Sequence, residues 1–344
     1  MSRIGRLDRP LVVAVAAAAM AAALVSRAAA QHYAEIPLRV DAKQANAMSG
    51  RIAVILRDAT SLDAAATKEL DDFFMGYLYP SMTSTDPVEL GQLQEKRGQL
   101  FTRYLNTAKS QVARDHVTAN TLKAMAAISK GNYHPAARYN AALILGQLEG
   151  EPGKPLAGAT EALLALLQND TIKDAKGRDV EVPTAVKLGA LIGIQRHLGR
   201  GIDAKFAESI TKAAIALATR EKPPEDVSAS VYGWVRRQAA QVLAVQFEAG
   251  LTPEVHQALV YAIQDEASHL DDRCGVAELL KASMYEGKQL DVDAMAKALG
   301  QLAQDVFEIE SKEAGKYLDE ITASGALAAP GAGAFGGRGE AGGG

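Results

Sequence analysis

Six histidines, one cysteine and a recurring basic residue are the side chains in this chain whose types could do chemistry. A helix-borne hydrolytic zinc site needs histidines one turn apart around a glutamate, and no histidine pair here has the His-Glu-x-x-His spacing. His256 and His269 could approach each other, but two ligands make a poor metal site. Cys274 has no neighbouring base to hold it as a thiolate, and as the only cysteine it can form neither an intramolecular disulfide nor a c-type haem attachment. A small buried thiol is its expected state. Asp271 and Asp272 are placed to cap a helix N-terminus, where carboxylates meet free N–H groups. The chain carries no Gly-x-Ser-x-Gly elbow, phosphate loop or dinucleotide fingerprint. The expectation is a non-enzymatic protein with no catalytic residue, no metal and no cofactor.

The basic residues recur in a pattern. Arg138 stands in AARYNAALILGQL, Lys187 in AVKLGALIGIQRH, Arg236 in WVRRQAAQVLAVQ and Arg273 in DDRCGVAELLKAS. Three positions after each lie Ala141, Ala190, Ala239 and Val276; four after, Ala142, Leu191, Ala240 and Ala277; seven after, Leu145, Ile194, Leu243 and Leu280. Apolar columns at these offsets lie along one face of a helix. Each such helix has an amphipathic helix before it, marked by Leu122, Met125 and Ile128; by Leu156, Leu163, Leu164 and Leu167; by Phe206, Ile210, Ala213 and Leu217; and by Val255, Leu259 and Ile263. Thr252-Pro253-Glu254 opens the last with a cap and a first-turn proline. The polar stretches Asn169–Val182 and Glu221–Ser230 read as loops.

Helices are expected on both sides of this array. Ile52, Ile55, Leu56 and Ala59 mark one face, and Leu70, Phe73, Phe74, Tyr77 and Leu78 mark another, which Pro80 and the Ser/Thr cluster after it end. Phe73, Phe74, Tyr77 and Tyr79 read as N-terminal core. Asp86-Pro87-Val88-Glu89 starts a long helix whose stripe runs Leu90, Leu93, Arg97, Leu100, Phe101, Tyr104, Leu105 and Ala108. A final helix over roughly Asp291–Ile321, either continuous or broken near Glu310, would cover the last apolar face.

HPAARYNAALILGQL resembles the second helix of a HEAT repeat: Pro135, Arg138, Ala141, Leu145, Gly146 and Leu148 fall where that pattern has its proline, basic residue, small core residues and closing Leu-Gly-x-Leu. The resemblance covers about residues 116–286. The basic residues are separated by 49, 49 and 37 positions, bracketing the roughly 40–47 of HEAT and armadillo units. Units two and four depart from the pattern, with Lys187 in place of arginine and no glycine at Gln195 or Lys281. The chain also resembles exported bacterial HEAT-repeat proteins of unassigned activity. The resemblance implies an all-α, α-α superhelix of about four helix pairs, with repeats and capping helix over 116–322; periodicity places the extra N-terminal helices over 31–115, and the Gly/Ala-rich composition of 323–344, which cannot bury a core, reads as a disordered tail. It also implies a scaffold that binds a protein or peptide on the concave face made by the second helices. The alternatives are a HEAT-type enzyme or accessory, similar to phycobilin lyases or base-excision glycosylases, and a structural, self-associating envelope component.

Charge and the N-terminus set the compartment and partner class. Arg3, Arg6 and Arg9, the apolar stretch Leu11–Val25 and Ala28-Ala29-Ala30 before Gln31 read as a secretory signal over 1–30, too short in its apolar run to be expected as a spanning helix. Without that segment 33 basic residues face 40 acidic ones, a balance that argues against nucleic acid as partner. The expectation is an exported, periplasmic or extracellular protein with no stable membrane insertion once the signal is cleaved. Two readings compete at the candidate contact residues. The ladder Arg138, Lys187, Arg236 and Arg273 reads as structural, bonding loop carbonyls or acids of an adjacent pair; its rival is a groove for an acidic peptide. Tyr139, Trp234 and Arg237 read as a partner-binding patch, since tyrosine, tryptophan and arginine dominate hot spots; the rival has Trp234 filling a gap between helix pairs.

Overall fold

Capping residues written into the sequence account for where most helices begin. The computed structural model describes residues 32–248 and 250–323, so the expected signal 1–30 and the tail from residue 324 lie outside the described residues. The described chain is all-α apart from one short hairpin. Helix α1 (Ala42–Asp58) starts with a capping box, in which Asp41 accepts the N–H of Gln44 and the Gln44 side chain accepts that of Asp41. α2 (Ala64–Phe73) runs through a π-helical turn, Phe74–Leu78, into the short α3 (Tyr79–Ser81). Pro80 therefore lies inside the last helical turn, and the chain leaves the helix at Met82.

Asp86 caps α4 (Pro87–Gly91) as its spacing predicts, accepting the N–H groups of Val88 and Glu89. The expected single long helix is divided: α4 ends at Gln92, α5 spans Leu93–Gln99, and Leu100–Leu105 is a second π-helical segment. A π turn closes its hydrogen bond over one more residue than an α turn and so rotates the side chains beyond it. The two π segments bring the aromatic side chains together, with the Tyr104 ring 5.3 Å from Phe73 and 5.4 Å from Phe74, both edge-on. Phe73, Phe74, Tyr79 and Tyr104 are buried, and the Tyr79 hydroxyl lies 2.5 Å from the Thr121 hydroxyl.

Among the described residues four helix pairs come next in chain order: α6 (Gln111–Lys130) and α7 (Pro135–Leu145), α8 (Ala157–Gln168) and α9 (Thr184–Gly199), α10 (Ala207–Ala218) and α11 (Ala229–Gln246), α12 (Pro253–Gln264) and α13 (Leu270–Ala277). The chain divides into two compact units between Ile210 and Thr211, inside α10. In the first, α7 packs on α6, α8 and α9 and also touches α5; in the second, α11, α12 and α13 pack together and α14 (Val292–Ala323) lies on α12 and α13. Ala141, Ala142, Leu145, Ala190, Leu191, Ile194, Ala239, Ala240 and Leu243 are fully buried, so three units place all three apolar columns in the core.

Two expectations are corrected. The fourth unit keeps Val276 buried, but α13 stops at Ala277, leaving Leu280 outside the helix and half-buried. Asn169–Val182 is not all loop: β1 (Thr171–Lys173) pairs antiparallel with β2 (Asp179–Glu181). Its turn closes on Asp174, which accepts the N–H groups of Lys176 and Arg178, and on Gly177 at φ 73°, a conformation glycine adopts without strain. Of the two forms open for the final helix, the structure has the continuous one, with α14 running unbroken past Glu310. Asp291 caps it, accepting the Ala294 N–H.

Candidate functional site

The basic ladder carries the strongest repeated pattern in the chain, and the structure puts all four members in the interior. Arg138, Lys187, Arg236 and Arg273 are buried. Arg138 Nε donates to the Ser129 carbonyl at 3.0 Å, Lys187 Nζ to Leu167 at 3.2 Å, Arg236 Nη2 to Arg220 at 2.7 Å and Arg273 Nε to Ile263 at 2.7 Å. Each acceptor lies in the last turn of the first helix of its pair or just beyond it. Those carbonyls have no intrahelical partner, and the helix dipole makes that end negative, so a buried cation is well placed there. Each cation also reaches a second group: Arg138 the Glu181 carbonyl at 2.7 Å, Lys187 Asp170 at 2.9 Å, Arg236 Asp265 at 2.8 Å and Arg273 Asp305 at 2.8 Å. Burial lowers the Arg138 pKa to about 10, where it still carries its charge at neutral pH. None of the four presents a guanidinium or ammonium to a groove.

Tyr139, the residue after Arg138, is half-buried on α7. Its ring rests on α9 at Gly189, where a Cβ would lie 2.9 Å from Tyr139 Cδ2. At the end of α7 the two helices touch backbone to backbone, since a Cβ on Gly146 would lie 2.3 Å from the Gly193 Cα. Beside Tyr139, Arg97 on α5 donates from Nη1 to the buried Asn140 Oδ1 at 2.7 Å. Arg196 is exposed on α9, two turns beyond Gly189 and on the same side of that helix. Burial, and after it the charge of Arg196, holds the Arg97 guanidinium below its ordinary pKa. α5 and α7 thus hold Arg97 and Tyr139 half-buried side by side, and α9 carries the exposed Arg196 two turns beyond the Tyr139 contact.

The other two members of the expected patch belong to the second unit. Trp234 is 47% exposed on α11 and so does not fill a gap between helix pairs. Tyr232, two residues before it, is the one packed inside, donating from its hydroxyl to the Leu217 carbonyl at 3.3 Å. Arg237 is tucked over Gly275 of α13, where a Cβ would lie 2.2 Å from its Nε, and its nearest acid is Asp272 at 3.9 Å. That pose ties Arg237 to helix packing more than to an open surface.

The remaining titratable residues take structural positions. His256 is buried edge-on to Tyr285 with ring centroids 5.9 Å apart, and among the described residues no group of three metal-ligating side chains occurs. Cys274 is half-buried, and burial raises its thiol pKa. Asp271 and Asp272 lie in the first turn of α13, at the positive end of its dipole, and Asp272 also faces Arg237; the cap residue His269 makes no side-chain cap bond.

No family model, curated protein or solved structure matches the chain. Arg196 was not singled out by the sequence pattern; the signal available was its place nine residues after Lys187, on the turn following the +5 position.

Proposed function

We propose that the chain is a non-enzymatic, exported scaffold, its helix pairs forming a HEAT-like solenoid that binds a protein or peptide on the face made by the second helices. The observation that carries this reading is the packing of α5 and α9 against α7, where half-buried Tyr139 lies between the helices that carry Arg97 and the exposed Arg196. Tyrosine and arginine are among the residue types that dominate binding hot spots, and here they stand on helices packed against one another, two of which, α7 and α9, carry ladder residues on their buried sides. The repeated bond from each second helix to the end of its first helix supports the repeat reading, because four units solve one end-capping problem in one way.

Site-specific photo-crosslinking in the native host tests the proposal. A photoreactive residue at Tyr139 should capture one partner in stoichiometric yield, whereas one at the exposed Lys123 of α6 should not. Equal capture from both positions, or none from Tyr139, would count against the scaffold.

Self-association as a structural component is favoured by a different feature. Beyond Leu302, α14 exposes Phe307 at 72%, Tyr317 at 64% and Leu318 at 56%, an unusual outlay of large apolar side chains on one helix. A sedimenting dimer that Phe307→Ser converts to monomer would support that second reading.

A further inference from the structure

We propose that the cavity between α12 and the start of α14 is a binding site for an alkyl amine, whose ammonium group Asp291 and His256 receive. The inference is independent of the scaffold reading and concerns the second unit alone.

Its first ground is a buried side chain without a partner. The cavity encloses about 350 Å³, within the range of small-molecule sites. His256 stands in its wall with 2% of its surface exposed, and among the described residues its Nε2 has no hydrogen-bond partner. Tyr285 meets the ring edge-on and holds it in place without bonding that nitrogen. Burial lowers the pKa of the ring, so at neutral pH the imidazole is uncharged and one of its nitrogens is an acceptor. A buried polar nitrogen left unbonded is costly, and a donor entering the cavity relieves that cost.

The second ground is the chemistry of the wall. Asp291 is its one acid, and among the described residues no lysine or arginine lines it. Asp291 Oδ1 accepts the Ala294 N–H at 2.9 Å as the cap of α14, which fixes the carboxylate, while Oδ2 has no partner among the described residues. The dipole of α14 places about half a positive charge at that end against the full negative charge of Asp291, so the balance stays negative. An ammonium brings three donors and no acceptor, and its bonds to a carboxylate oxygen and a neutral imidazole nitrogen are charge-assisted. An anionic ligand would be repelled by Asp291 with no cation in the wall to offset it. Val260, Leu290 and Ala294 supply apolar surface for the alkyl chain.

The test titrates the full chain with butylamine at neutral pH and follows the histidine ring signals by NMR, with butanol and butyrate as neutral and anionic probes of similar size. The His256 signal, identified by its loss in His256→Phe, should move saturably with butylamine and stay still with the other two. Asparagine caps a helix as well as aspartate, so Asp291→Asn should keep the melting temperature while weakening butylamine binding at least about tenfold. Asp271→Asn, outside the cavity, should leave binding unchanged. A blocked lysine, N-acetyl-lysine methylamide, separates the two sources of an alkyl ammonium. Movement of the same signal with it makes the lysine side chain of a partner the ligand, and movement with butylamine alone makes it a free amine. A still His256 signal in butylamine would overturn the site, as would equal movement in butanol or butyrate. So would butylamine binding by Asp291→Asn as tight as by the parent.

Discussion

Gly146 on α7 and Gly193 on α9 meet backbone to backbone, so close that a Cβ on Gly146 would lie 2.3 Å from the Gly193 Cα. The two helices carry Tyr139 and Arg196, and this contact sets the spacing of those side chains on the outer face. A methyl group there must push two helix backbones apart, which no rotamer change can relieve. Gly146→Ala is expected to cost roughly 1–3 kcal/mol, the usual penalty of overpacking. Gly98→Ala, in α5 with open space around it, should instead gain up to about 1 kcal/mol from helix propensity. Chemical denaturation of both variants checks the pair, and equal effects would mean that the close contact is not maintained in solution.

Arg236 is the most fully engaged member of the ladder, bonded to the Arg220 carbonyl, Ser268 and Asp265 and lying over the Tyr232 ring at 5.0 Å. Arg236→Ala should lower stability by roughly 1.5–3 kcal/mol, the scale of a lost charge-assisted bond. Exposed Trp234, two residues before it, should tolerate alanine to within about 0.5 kcal/mol. A melting temperature unmoved by Arg236→Ala would deny the ladder a structural role.

His197 supplies a pH dependence. Its ring is buried, with Nδ1 3.0 Å from the Thr160 hydroxyl, and burial pushes its pKa down to about 4. In the unfolded chain an ordinary histidine titrates near about 6.5. The unfolded state therefore binds the proton first as pH falls, and the stability that neutral His197 contributes is complete above that value. It drains away between about 6.5 and 4, at up to roughly 1.4 kcal/mol per pH unit. Urea unfolding at pH 7 and pH 5 should show a steeper loss for the parent than for His197→Gln. Parallel losses would assign the acid sensitivity elsewhere.

Tyr139→Ala should separate binding from folding. If Tyr139 is a hot spot, capture of the partner weakens by about 2 kcal/mol, roughly thirtyfold, while helicity and melting stay nearly constant. The opposite pattern, with melting lowered and binding lost only on unfolding, would make Tyr139 a packing residue for Gly189.

The export expectation has a direct readout. The protein recovered from the cell envelope should begin at Gln31 or within a few residues of it, and an intact Met1 or Ser2 terminus in mass spectra would replace cleavage with anchoring.

Local chemistry fixed much of this protein before any tertiary contact. Asp41, Asp86 and Thr252 start helices because their side chains accept free N–H groups a few residues on, a bond that depends only on sequence neighbours. The apolar columns likewise mark the buried faces of α7, α9 and α11, since helical periodicity alone decides which residues share a side. Tertiary structure decided what periodicity cannot address. Tyr232 went inside and Trp234 outside although both are aromatic and only two residues apart on α11, because the neighbouring helix ends fill one direction and solvent the other. It turned Asn169–Val182 into a hairpin, whose Glu181 carbonyl Arg138 holds from another helix. It also seated the Tyr139 ring on Gly189 of α9 and tied Arg97 of α5 to the buried Asn140 of α7, contacts that only the packing of α5 and α9 against α7 can set.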